Sequence, residues 1–293
     1  MRNEHALRSS STGTNQLINA LSPESRERLA PHLELVQLPA GDVLYDCDQT
    51  ASHAYFPISA VVSLLHVLED GASTEFALVG NDGMLGVALL MGGGTMPNQA
   101  LVQRAGYAYR LPADILRQEF NHDVETSQLF LRYVQYLLTQ VSQVAVCNRH
   151  HTIRQQLSRW LLVYMDRLPG NNFSHAIELK ATHESIANML GVRRESVSEA
   201  ASILRKQKLI TYSRGRLSVA DRQGLEATAC ECYALMKQEY KRLLSSEHSA
   251  NSPHSTNGHH PVKKQDFSRP ACVGLHNHLL PKDKDKKYAA DRY

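Results

Sequence analysis

No part of this chain leaves less structural freedom than residues 182–208, THESIANMLGVRRESVSEAASILRKQK. Thr182 is a hydroxyl residue suited to cap a helix N-terminus. Ile186, Met189 and Leu190 then recur at helical spacing until Gly191, which can take the positive φ that ends a helix. A second helix follows, with Val197, Ala201 and Leu204 at i, i+4 and i+7 as its inner face. Its outer face carries Arg194, Glu195, Ser198, Glu199, Ser202 and Arg205. Small Ala187, Ala200 and Ala201 allow the two helices to approach closely. The pattern predicts a helix-turn-helix, whose second helix enters a DNA major groove with its N-terminal residues on base edges.

An ordinary helical hairpin with a solvated charged face would share part of this pattern. Against that reading, Arg193 and Arg194 sit at a helix N-terminus, where cations oppose the macrodipole. The outer face also mixes arginines, hydroxyls and carboxylates, the groups that contact phosphates and bases. Residues 209–212 and 217–219 are β-prone runs flanking Ser213-Arg214-Gly215-Arg216, which predicts a hairpin wing with two arginines at its tip. The expected DNA-binding residues are therefore Thr182, Arg193, Arg194, Glu195, Ser198, Glu199, Ser202, Arg205, Arg214 and Arg216.

Charge distribution supports a polyanion binder joined to something else. Residues 1–149 carry 9 Lys and Arg against 15 Asp and Glu, whereas residues 150–244 carry 15 against 9. An acidic first half and a basic second half suit a sensor fused to a nucleic-acid reader. No run of apolar residues is long enough to span a membrane, and the N-terminal MRNEHALRSSSTG lacks an apolar signal region, so a soluble cytoplasmic protein is expected. The cysteines, Cys47, Cys147, Cys230, Cys232 and Cys272, are scattered without Cys-x-x-Cys pairs, which argues against a disulfide framework or structural zinc. On one continuous helix Cys230 and Cys232 would not share a face. Packing is their expected role, and no metal or cofactor is expected.

The first half changes texture twice. Residues 1–15 are polar, and 16–33 show a short helical pattern with Ser22 before Pro23 as a cap. Residues 36–111 are short β-prone runs (43–45, 54–56, 61–67, 75–79, 99–102, 107–111) punctuated by Gly, Asp and Pro turns, which predicts a small roll or barrel. From Phe130 the positions Phe130, Val134, Leu137, Val141 and Val144 step by 4, 3, 4 and 3. Leu131, Leu138 and Ala145 broaden the stripe. Such a 3.5-residue period predicts a helix whose seam holds a homodimer, the symmetry a DNA reader needs. His150-His151 falls in a polar joint, and a last helix is expected from Asp221 to about Leu244. The tail from Ser245 has too little apolar content to fold, although its histidines and lysines could contact metal or phosphate.

These residues resemble the Crp/Fnr family of bacterial transcription regulators over roughly 30–244. LPAGDVLY, YFPISAVVSL and VGNDGMLGV are similar to the family's cyclic-nucleotide-binding-like roll. CNRHH, RWLL, GVRRESV and DRQGLEATACECY are similar to one of its branches. The resemblance implies an α+β fold: an N-terminal cupin-like or cyclic-nucleotide-binding-like β-roll, a long dimerisation helix and a C-terminal winged helix-turn-helix. The expected segments are 1–29 loose, 30–122 sensory roll, 123–149 dimerisation helix, 150–244 DNA-binding domain and 245–293 disordered tail. The implied partners are inverted-repeat double-stranded DNA, a second copy of the chain and RNA polymerase, with no membrane and no catalysis.

Cyclic-AMP binders in the family use a Gly-Glu pair and an Arg-Ser or Arg-Thr pair, whereas here Val87 follows Gly86 and the later glycine loop has no arginine before Arg104. A buried phosphate needs such donors. The family's oxygen sensors carry N-terminal cysteines, and none precedes Cys47. Any effector would lie between roll and long helix, near Tyr133, Tyr136, Thr139, Gln140 and Ser142, and its identity stays open. A metal- or redox-responsive regulator using Cys230, Cys232 and the histidine-rich tail is the alternative.

Overall fold

The computed structural model describes residues 14–168, 178–213 and 215–244. The expectations for 1–13, for Arg214 and for the 245–293 tail lie outside the described residues.

The expectation of a loose segment over 1–29 is corrected from residue 14 onward. Asn15 accepts from the backbone N–H groups of Leu17 and Ile18, and its own amide donates to Pro57 O and Gly83 O at 2.9 and 2.7 Å. This cap starts α1 (Gln16–Asn19), and Ser22 with Pro23 starts α2 (Pro23–Leu29). Leu17, Ile18, Leu21 and Leu29 are buried in the roll's core. The helical pattern read over 16–33 and its Ser22 cap are both present.

The roll follows as β1 (Glu34–Leu38), β2 (Val43–Tyr45), β3 (His53–Pro57), β4 (Val61–Val67), β5 (Ser73–Val79), α3 (Ala88–Met91), β6 (Gln99–Arg104) and β7 (Gly106–Pro112). All pairings are antiparallel, in sheets ordered β1-β7-β3 and β2-β6-β4-β5. Phe56, Val62, Met84, Leu85 and Leu111 fill the interior between them. Then come α4 (Ala113–His122) and the long α5 (Val124–His150). Asp123 caps α5 by accepting from Thr126 N–H, and Arg149 and His150 in its last turn complement the negative end of the helix dipole.

α5 presents two apolar faces. Phe130, Tyr133 and Leu137 turn inward and join the roll's core, where Phe130 is wholly buried against Phe56. Val124, Leu131, Leu138 and Val141 are exposed, Leu131 at 56% and Leu138 at 61%. Phe130 and Leu137 are therefore corrected as dimer residues, since their own chain already covers them. An exposed stripe runs Val124, Leu131, Leu138, Ala145 at sevens, with half-buried Val134 and exposed Val141 between. Val144 is half-buried on the flank that meets α6.

Thr152 opens α6 (Ile153–Asp166) through a reciprocal capping box with Gln155. Beyond it lie β8 (Glu178–Lys180), α7 (His183–Leu190), α8 (Arg194–Lys206), β9 (Ile210–Ser213), β10 (Arg216–Val219), α9 (Arg222–Thr228) and α10 (Glu231–Leu244). Leu157, Trp160, Leu161, Ile186, Val197, Leu204, Leu217 and Leu225 form this half's core. The single terminal helix expected from Asp221 is corrected to two. Ala229 takes φ −66°, ψ 161°, so the chain turns out of α9 and re-enters helix at Glu231.

Two buried contacts lock the halves. Trp160 donates its indole N–H to Glu75 Oε1 at 2.8 Å, and Ser63 donates to the other carboxylate oxygen. Arg167 pairs with Asp82 at 2.9 Å and also donates to Leu78 O, Tyr136 Oη and Gln140 Oε1.

Candidate DNA-binding surface

Thr182 Oγ1 accepts from Ser185 N–H at 3.0 Å and starts α7. Gly191, at φ +65°, ends it, and its Cα approaches Thr74 of β5 so closely that a Cβ would lie 3.2 Å from the Thr74 hydroxyl. After this turn Arg193 is extended and offers its carbonyl to the first turn of α8. Val197, Ala200, Ala201 and Leu204 are buried, which turns the opposite side of α8 to solvent. The inner face is thus the one periodicity gave, with the small alanines at the contact.

Arg193, Arg194, Glu195, Glu199 and Arg205 are exposed together on the outer side of α8. Arg194 reaches Glu184 only at 3.9 Å, a solvated pairing that leaves the guanidinium available. Arg216 is exposed on β10, at the wing formed by the sheet β8-β10-β9. Ser202 is half-buried. Two expected contact residues are engaged internally: Thr182 in its cap, and Ser198, whose hydroxyl donates to Arg194 O at 3.0 Å and meets His183 Nδ1 at 2.9 Å. Their hydroxyls serve the geometry of the reading head.

His183 carries no signal in the sequence. Its ring stacks on Tyr212 of the wing with centroids 4.4 Å apart, while Nδ1 meets Ser198 on α8. One side chain therefore ties α7, α8 and β9. Burial, then the Arg194 charge, holds its pKa below the ordinary imidazole value. No local pattern marks a residue whose partners lie in three elements.

The expected effector groups are also occupied. Tyr133 donates to Met84 O at 3.0 Å, Tyr136 and Gln140 hold Arg167, and Thr139 and Ser142 donate to carbonyls one turn back on α5. Leu89 and Met96 are buried where α3 and its following loop face the roll's interior. A cleft of about 290 Å³ opens instead beside Asp82, Tyr136, Arg167, Tyr233, Lys237 and Tyr240. Elsewhere, the fold gathers Cys147, His151, Cys230 and Cys232, four residues that sequence alone keeps apart.

Comparison with known proteins agrees with this architecture. Residues 155–228 match the Crp-like helix-turn-helix domain and residues 35–123 the cyclic nucleotide-binding domain. The global nitrogen regulator of Synechococcus elongatus is 22% identical over 191 residues, covering 64% of this chain and 86% of that protein. The structure of FixK2 from Bradyrhizobium japonicum superposes with a TM-score of 0.55 at 17% identity, over 68% of this chain and 98% of that one. A CRP/FNR-family transcriptional regulator from Thermus thermophilus superposes with a TM-score of 0.54 at 24% identity, over 67% of this chain and 98% of that one. Among the described residues no helix is long and apolar enough to cross a membrane.

Proposed function

The chain belongs to the Crp/Fnr family of transcription regulators, and from that premise we propose that it acts as a homodimer reading an inverted-repeat operator with paired α8 helices. The observation that carries this reading is the presence of two open surfaces: the arginine-bearing face of α8 and the exposed heptad stripe of α5. The first suits phosphate and base contacts. The second is an apolar seam of the kind two parallel helices share. A twofold axis along that seam sets half-sites about one helical turn apart, roughly 34–36 Å.

Arg194, near the start of α8, is placed to donate to a guanine, and Glu195 to accept from a cytosine amino group. Arg193, Arg205 and Arg216 serve phosphates. Glu199 cannot donate to guanine, which narrows the base preferred at its position. The roll acts on this reader without cyclic AMP. Val87 supplies no carboxylate, the α3–β6 loop supplies no arginine, and Met96 and Leu89 are buried in the roll's core. Calorimetry should show no saturable micromolar binding of the nucleotide. RNA polymerase is the partner through which a bound dimer would affect transcription.

Selection of bound DNA from a random pool tests the reading directly. Enrichment of a palindrome with the stated spacing supports it. Enrichment of single, unpaired half-sites would show that the chain reads DNA as a monomer. The metal-responsive alternative gains one specific observation, the four-residue cluster at the hinge.

A further inference from the structure

Cys147 lies in the last turn of α5, and His151 immediately follows that helix. Cys230 occupies the non-helical joint between α9 and α10, and Cys232 the first turn of α10. The break at Ala229 is what allows Cys230 and Cys232 to face the same point, although a continuous helix would point them apart. All four donor atoms lie within 4.8 Å of one another. The three thiols are buried and form a cluster separate from both hydrophobic cores.

The distances discriminate among ligands. Four donors at 2.0–2.3 Å from one tetrahedral ion stand roughly 3.6–3.8 Å apart. Cys147 Sγ and Cys230 Sγ are 3.5 Å apart, and Cys232 Sγ and His151 Nδ1 are 3.6 Å apart. A multi-iron cluster would spread its thiolates over several metal atoms and hold them further apart. Three sulfurs and one imidazole are the donor set of closed structural zinc sites.

The surroundings complete the site. His151 turns Nδ1 toward the cysteines and Nε2 toward Glu231 Oε1, at 3.2 Å. A carboxylate on the outer nitrogen is the usual device that fixes the tautomer of a metal-bound imidazole. Arg159 is 4% exposed, its Nε has no hydrogen-bond partner, and among the described residues it makes no ion pair. It sits close enough to act electrostatically on Cys147 and Cys232. Three thiolates around a divalent ion carry a net negative charge, and Arg159 is a buried cation placed to offset it.

We propose that Cys147, His151, Cys230 and Cys232 bind one thiophilic divalent ion of the zinc class. The ion would join the start of α10 to the hinge between α5 and α6. Binding converts up to three thiols to thiolates and releases those protons to solvent. The site does not depend on the DNA-binding reading, and neither does its test.

The full chain, reduced and stripped with a chelator, is titrated with Zn²⁺ and separately with Co²⁺. One ion should bind per chain, and Co²⁺ should give the intense visible bands of tetrahedral thiolate coordination. Cys232→Ser should abolish those bands, and Cys47→Ser should leave them intact. Glu231 is exposed, so Glu231→Gln should keep the fold while weakening Zn²⁺ by about 10–100-fold. That variant covers the case in which a cysteine substitution unfolds the chain. The proposal is overturned if the reduced chain takes up no stoichiometric ion. It is equally overturned if binding persists in Cys147→Ser and Cys232→Ser, which would place the ion on the tail histidines. A Cys147–Cys230 disulfide in folded protein whose reduced form ignores both ions would make the cluster a redox pair instead.

Discussion

At the scale of single residues, Arg194 and Arg205 test the proposed division between base reading and phosphate positioning. Arg194→Ala should cost about 1–3 kcal/mol on the preferred operator and relax one base position. Arg205→Ala should weaken all sequences alike and shrink the salt dependence of binding. Titrations of both variants on matched and scrambled duplexes, at two salt concentrations, check this. An Arg194→Ala loss equal on both duplexes would make Arg194 another phosphate contact. The arginines and Glu195 were legible because helical period alone places them on one face. Thr182 and Ser198 share that neighbourhood, yet their hydroxyls are spent on a cap and on His183, which only the packed structure decides.

Glu75 is a residue the sequence could not single out. Burial, partly offset by the Ser63 and Trp160 donors and then by Arg159 and Arg167, raises its pKa from 4.5 to about 7. The folded state therefore holds this proton more tightly than the unfolded chain. Its stabilising contribution is fully present below pH 4.5 and is lost as pH rises through 7. Glu75→Gln removes the titration, so wild-type stability should fall relative to the variant across that window, by roughly 3 kcal/mol in total. Denaturant melts of both proteins between about pH 4.5 and 8 give the difference. A pH-independent gap would show that Glu75 stays ionised throughout.

At the scale of elements, α5 shows how periodicity informs and misleads. Phe130, Leu137 and Leu131, Leu138 have the same sevenfold spacing, one residue out of phase, and the chain itself gives no sign of which pair faces the roll. Leu138→Asp should therefore leave a folded monomer that binds operator weakly, because it charges the free stripe. Leu137→Asp should instead destabilise the protein by about 3 kcal/mol or more, since it buries an unpaired carboxylate in the roll. Sedimentation and thermal melting distinguish the two, and a dimeric Leu138→Asp would move the interface off this stripe. The broken terminal helix was hidden for another reason. DRQGLEATACECY contains no proline at the break, and the extended Ala229 is evident only from the fold.

At the scale of the whole molecule, the roll and the DNA-binding half meet through Val61 and Leu78, which join the second half's apolar core, and through charged and polar groups removed from water. Arg167 alone reaches the roll at Asp82 and Leu78 and α5 at Tyr136 and Gln140. The turn of the helix-turn-helix lies against Thr74 on β5, the strand that also carries Glu75. β5 thus touches the turn that precedes α8, and a ligand would shift the presentation of α8 only by favouring one arrangement over another.

Trp160, the only tryptophan in the chain, has its indole N–H on Glu75 and is almost fully buried at this junction. Every photon of tryptophan fluorescence thus comes from the seam between the two halves. Emission should be blue and shielded from iodide in mild acid, and should move to the red with a midpoint near pH 7 as Glu75 ionises. The shift should vanish in Glu75→Gln, and its persistence there would assign it to another group. The chain carries its own optical gauge of whether the joint is closed, readable without a label while DNA, metal or candidate effectors are added.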